Sequence, residues 1–125
     1  MRILQTQDAP SAIGPYSQAI DIGSLIFTSG QIALTPQGDL VSGGIKEQTK
    51  QVLENLKAVL QSGQSSLQQV IKTTVFLSNM DHFNDFNEIY GQYFIQHKPA
   101  RSTVAVKTLP KNVLVEIECI ALKNS

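Results

Sequence analysis

Along residues 113–122 apolar side chains fill one alternating set, Val113, Val115, Ile117, Cys119 and Ala121. The other set mixes Leu114, Ile120 and Leu122 with Glu116 and Glu118. A period of two is the signature of an extended strand. Earlier in the chain the period lengthens. Ile45, Val52, Leu53, Leu56, Val59 and Leu60 recur at helical spacing, with lysine, glutamate, glutamine and asparagine between them, and Gly63 can end the helix. Residues 70–77 are rich in β-branched side chains and predict a strand. Asn79 or Asp81 can cap a second helix carrying Phe83, Phe86, Ile89, Tyr90, Tyr93 and Phe94, which stops before Pro99. Near the start, two prolines and a glycine within residues 9–18 fix turns ahead of a hairpin. Its strands cover 16–22 and 25–29, with Gly23 where positive φ is needed.

The order is hairpin, helix, strand, helix, strand, strand, an α+β arrangement expected to form a single domain over residues 1–125. By periodicity the last two strands, joined through 108–112, look like a second hairpin. Two helices can cover one sheet face only. In 70–77, Val70, Thr74 and Phe76 fall on one set and Ile71, Thr73, Val75 and Leu77 on the other, so both faces carry apolar residues. The face without helices is therefore expected to be buried against other subunits.

Ten basic and ten acidic residues give zero formal charge. No global field is available to hold a polyanion, and the pairs Lys107/Lys111 and His97/Lys98 are too sparse for a basic stripe, so nucleic acid is not an expected partner. Cys119 is the sole cysteine and lies in the apolar strand, a small buried hydrophobe suited to a reducing compartment. No secretory core or membrane-spanning run is present, so a cytoplasmic protein is expected. His82 and His97 stand near opposite ends of one predicted helix, too far apart to share a metal ion.

The remaining polar residues are the candidates for chemistry. Arg101 sits where Pro99-Ala100 hands over to a strand, and its fork of donors suits a carboxylate. Glu116 and Glu118 lie inside an apolar strand, where an ionised group needs a partner or a task; an ion pair at a sheet edge is the plainer alternative. Ser29-Gly30 ends a strand and can expose backbone N–H groups, although Ser-Gly is also ordinary turn chemistry. Tyr16 is held just ahead of the first hairpin. Asn87, on the aromatic side of the second helix, either satisfies a neighbouring strand or looks into a site.

Six strings carry a family resemblance: Ala9-Pro-x-Ala-Ile-Gly-Pro-Tyr-Ser-Gln; Phe27-Thr-Ser-Gly-Gln-Ile; Lys46-Glu-Gln-Thr with Asn55-Leu-Lys-Ala-Val-Leu; Lys72-Thr-Thr-Val-Phe-Leu; Asn87-Glu-x-Tyr-Gly-Gln-Tyr-Phe; and Pro99-Ala-Arg-Ser-x-Val with Leu109-Pro-Lys and Val115-Glu-Ile-Glu. In order and spacing they resemble the RidA (YjgF) family over essentially the whole chain. The resemblance implies a chorismate-mutase-like mixed sheet with two helices on one face, and a homotrimer with a cleft at each subunit boundary. It also implies that another strand lies between the last two. The implied activity is hydrolysis of 2-imino acids such as 2-iminobutanoate and 2-iminopropanoate, and their enamine tautomers, to 2-keto acids and ammonia. No cofactor or metal is implied.

By position the family's binding arginine is Arg101, its tyrosine Tyr16, its serine and glycine Ser29 and Gly30, and its acid Glu116, with Asn87 and Phe83 lining the wall. Arg101 would hold the substrate carboxylate and Glu116 would prime a water. Many relatives have cysteine where this chain has Thr103, which removes any thiolate chemistry there while keeping a hydroxyl donor. A non-catalytic keto-acid sensor and a translation-inhibiting ribonuclease are the rival functions.

Overall fold

The computed structural model describes residues 1–124. Its strands are β1 (Arg2–Leu4), β2 (Ala19–Asp21), β3 (Leu25–Thr28), β4 (Val70–Leu77), β5 (Ala100–Ala105) and β6 (Val115–Leu122). Its helices are α1 (Ile45–Ser62) and α2 (Phe83–Tyr93). All six strands form one sheet in the order β1-β2-β3-β6-β4-β5. β4 and β5 are parallel, as strands joined by a helical crossover must be, and the other pairings are antiparallel. The apparent hairpin of the last two strands is therefore replaced by β4 standing between them, as the family resemblance implies. Residues 110–112 form a 3-10 turn on the way across, with Lys111 and Asn112 at φ of 54° and 55°.

Strand β1 had no signal in the residue pattern. Three residues on an edge, of which only Leu4 is buried, are too short to show a period. The first hairpin forms around Gly23 at φ +100°, whose N–H is accepted by the Asp21 carboxylate at 2.7 Å. Its first strand begins at Ala19, not residue 16, because the chain still bends at 14–16, where the Tyr16 N–H reaches the Gly14 carbonyl at 2.9 Å.

Helix α1 ends at Gly63 for a reason other than backbone freedom. Gly63 has φ −106°, and the positive φ falls on Gln64 at 63°. A Cβ at 63 would sit 2.5 Å from Leu4 Cδ1 and 2.7 Å from Ile26 Cδ1, so close packing on β1 and β3 demands the glycine. Asn79 accepts the Asp81 N–H at 2.8 Å and caps the 3-10 turn that leads into α2.

Both helices pack on one face of the sheet. Val52, Leu53, Leu56, Val59 and Leu60 of α1 meet Val115, Ile117 and Ala121 of β6, with Phe86 and Tyr90 of α2 closing the core. In β4 the alternation breaks. Val70 pairs with Ala121 and Lys72 with Ile120, so Ile71 is extra. This bulge puts Val70 in the core with Thr73, Val75 and Leu77 and leaves Ile71 exposed, whereas uninterrupted alternation groups Ile71 with Thr73, Val75 and Leu77 and sets Val70 with Thr74 and Phe76. The face away from the helices presents Ile3, Phe27, Val104 and Leu122, each 42–62% exposed. Single exposed apolar residues are ordinary, but four on one face are an unfinished surface.

Candidate functional site

Arg101 opens β5 directly after Pro99 and Ala100. It pairs with Thr73 of β4, which pairs with Cys119 of β6. Laterally paired residues point to the same face, so Arg101 faces α2. There its guanidinium carbon lies 4.8 Å from the Tyr90 ring centre and 5.6 Å from those of Phe83 and Phe86. One nitrogen, Nη1, donates to Asn87 Oδ1 at 2.8 Å. Residues 83, 86/87 and 90 succeed one another at three- and four-residue steps, so one stripe of α2 supplies both the aromatic faces and the amide.

Negative ring faces disperse the guanidinium charge without neutralising it. Tyr90 is held in turn by a 2.7 Å hydrogen bond between its hydroxyl and Thr73 Oγ1, and burial pushes its phenol pKa up, keeping it neutral. The ion pairs among the described residues are Arg2–Asp21, Lys123–Asp21 and Lys46–Glu88. Arg101 belongs to none, and its other donors remain for an external anion. A hollow of about 440 Å³ opens beside it, bordered by Asn87, Tyr90, Gly91, Lys98 and Pro99. Thr103, two residues on and on the same face, has a buried hydroxyl with no hydrogen-bond partner.

Glu116 occupies the opposite side of the sheet. It pairs with Phe76 and lies between Val115 and Ile117, both buried in the helix-covered core, so its own side chain takes the open face. Its carboxylate rests on Gly30, where a Cβ would fall 2.3 Å from Oε2. A side chain there would displace the acid from this position. Burial first, and the negative charge of Glu118 second, raise the Glu116 pKa above the ordinary carboxylate value. Both causes disfavour the anion, which is the condition of a carboxylate ready to take a proton.

Gly30, on which Glu116 rests, also lines a second hollow of about 270 Å³ with Tyr16, Gln18, Pro110 and Lys111. The Tyr16 hydroxyl accepts the Ile13 N–H at 3.3 Å and keeps its own proton free. The Gly30 N–H has no acceptor among the described residues. Ser29 differs from its expected role. Its hydroxyl donates to the Ser17 carbonyl at 2.5 Å and its N–H to the Gln18 carbonyl at 2.9 Å, so it ties the Tyr16 segment to β3 and can only accept from a ligand.

The sheet thus divides the candidate residues into two groups. Arg101, Asn87, Phe83 and Thr103 gather on the helix side, while Glu116, Gly30, Tyr16 and Ser29 gather on the other. Asn87 resolves as both a strand partner and a wall of the hollow. Glu118 is exposed and acts on Glu116 only through its charge. Cys119 is buried, with its thiol pKa pushed up to about 12 by burial, an inert hydrophobe. His97 hydrogen-bonds the Val70 carbonyl through Nε2 and His82 ends a 3-10 turn, so neither joins the site. Residue types alone missed Tyr90 as the face beneath Arg101, and Lys98 and Lys111 as charges at the two hollows. The i+3 step from Asn87 could have signalled Tyr90.

The family model described as Endoribonuclease L-PSP matches residues 6–123. A RutC family protein of Pyrococcus horikoshii is 52% identical over 122 residues, covering 97% of each chain. The Escherichia coli protein TdcF, whose name proposes a reactive intermediate deaminase, is 43% identical over 127 residues, covering 99% of this chain and 98% of its own. Its crystal structure with bound serine superposes at a TM-score of 0.94, covering 99% of this chain and 100% of that one at 44% identity. A Thermotoga maritima protein solved as a candidate endoribonuclease reaches a TM-score of 0.96 at 54% identity, covering 100% and 99%. With its fold and nearly its whole length shared with these proteins, the chain belongs to the RidA (YjgF) family.

Proposed function

We propose that this protein hydrolyses 2-imino acids, with 2-iminobutanoate and 2-iminopropanoate as the reference substrates, to 2-keto acids and ammonia. The observation that carries the reading is Arg101, a cation oriented by Asn87 and three aromatic rings with no carboxylate partner among the described residues. Such a group binds a small carboxylate bidentately and fixes the direction of the adjoining C=N bond.

Glu116 is the general base. It takes a proton from water as the oxygen adds to the carbon of the protonated imine, returns that proton to the amino nitrogen of the resulting carbinolamine, and then accepts the hydroxyl proton as the carbonyl forms and ammonia leaves. Tyr16 and the Gly30 N–H supply donors beside it. A protonated imine is electrophilic enough to need no cofactor.

Arg101 and Glu116 of one chain lie on opposite faces of its sheet, so a small substrate meets both only if Glu116 comes from a neighbouring copy. The exposed apolar residues of the open face favour such an assembly, and a homotrimer with a cleft at each boundary is the proposed form. Sedimentation should give a trimer at micromolar concentration, and a stable monomer would contradict it. In the cytoplasm, imines released by pyridoxal-phosphate enzymes would be the natural supply.

A coupled assay tests the activity: a threonine dehydratase generates 2-iminobutanoate, and ammonia release is followed with and without this protein. Acceleration is expected. Binding of 2-ketobutyrate without acceleration would favour the keto-acid sensor, because Arg101 can hold the anion in either case.

A further inference from the structure

Gly91 lies inside α2, where glycine weakens a helix relative to alanine. Neither usual excuse applies. Its φ is not positive, and a Cβ there would meet nothing within 4 Å. What Gly91 does is border the hollow beside Arg101 and keep it wide. The same hollow is bordered by Lys98, and these two cations are its only charged lining among the described residues. Lys98 is lightly committed: its ammonium donates to the exposed Ile95 carbonyl at 3.2 Å, a bond it can exchange for a stronger anion. Lys98 and Arg101 are three positions apart, so their Cα atoms are at most about 10 Å from each other. Two long side chains at that spacing can grip both ends of a five-carbon diacid. A space of about 440 Å³ is far more than a four-carbon monoacid fills.

We infer that the Arg101 hollow selects 2-imino and 2-keto acids bearing a second carboxylate, with Arg101 holding the carboxylate next to the reacting carbon and Lys98 the distal one across the bare surface of Gly91. This rests on the reading of Arg101 as the substrate anchor and adds the class of side chain.

Calorimetric titration of the intact protein with 2-oxoglutarate and with 2-ketobutyrate tests it. The diacid should bind about fivefold tighter, as one partly exposed ion pair allows. Lys98→Ala should bring the ratio of the two affinities to near one. Gly91→Leu, which has open space for its side chain and strengthens the helix, should weaken the diacid more than the monoacid. A diacid no tighter than the monoacid, or a preference that survives Lys98→Ala, overturns the selectivity while leaving the imine hydrolase intact. If neither acid binds and Arg101→Ala changes nothing, the anchor itself is wrong and both readings fall.

Discussion

The two groups of candidate residues treat charge in opposite ways. On the helix side, Arg101 is held by three ring faces and an amide at 2.8 Å, with Tyr90 pinned by Thr73. On the open side, Glu116 is half-buried with Glu118 as its charged neighbour, and both influences oppose its ionisation. A supported cation holds a ligand in place, whereas a disfavoured anion takes up protons. The contrast separates binding from chemistry before any substrate is considered.

Breaking the supported half should have the largest effect. Arg101→Ala should lower kcat/KM on 2-iminobutanoate by about 10²–10³-fold, the usual loss for a preorganised charged donor, while the fold persists by circular dichroism. Unchanged ammonia release would refute the assignment. Glu116→Gln keeps the shape and removes the base, and kcat should fall about a hundredfold with KM little moved. An effect on KM alone would exchange the roles of the two halves. Gly30→Ala puts a methyl 2.3 Å from Oε2 and must push the carboxylate aside; a drop in kcat of about tenfold is expected from such a misplacement. Asn87→Ala frees one edge of the guanidinium and should raise KM about tenfold, the worth of one hydrogen bond to a charge at its weaker end.

The pH dependence sharpens the same comparison. Activity should fall as pH drops through the raised pKa of Glu116, in the acid limb of kcat/KM against pH. Stability runs the other way. The native carboxyl holds its proton more tightly than the unfolded one, so this group's contribution to stability is lost as pH rises from the ordinary carboxylate value through the raised one. Glu116→Gln should therefore raise the thermal midpoint at neutral pH, and a lowered midpoint would mean that the carboxylate is a structural partner.

Much of this was legible in the residue pattern. The alternation of 113–122 assigned Val115, Ile117, Cys119 and Ala121 to the core and Glu116 to the far face, because a fully formed central strand obeys the period of two. The helical spacing in 45–60 worked for the same reason. Where a local irregularity intervenes, the pattern misleads. The bulge at Ile71 reverses the parity of Val70, and the crossover through α2 inserts β4 between two strands that are consecutive in sequence.

At the site, residue types pointed to Arg101, Glu116 and Asn87. They could not reveal that the sheet separates the first two, nor that the Ser29 hydroxyl is spent on Ser17. Gly91 and Lys98 were invisible as a pair because a missing Cβ and a lysine beyond the helix end acquire meaning only when they border one hollow.

The shared site can be tested by subunit mixing. Arg101→Ala and Glu116→Gln chains, each nearly inactive alone, are co-refolded in equal amounts and assayed for ammonia release from 2-iminobutanoate. If each site takes its arginine from one copy and its acid from the next, random assembly leaves about a quarter of the sites intact, and activity should recover to about that fraction of wild type. A mixture no more active than the better of its two components, despite demonstrated exchange of chains, would contradict a site shared between copies.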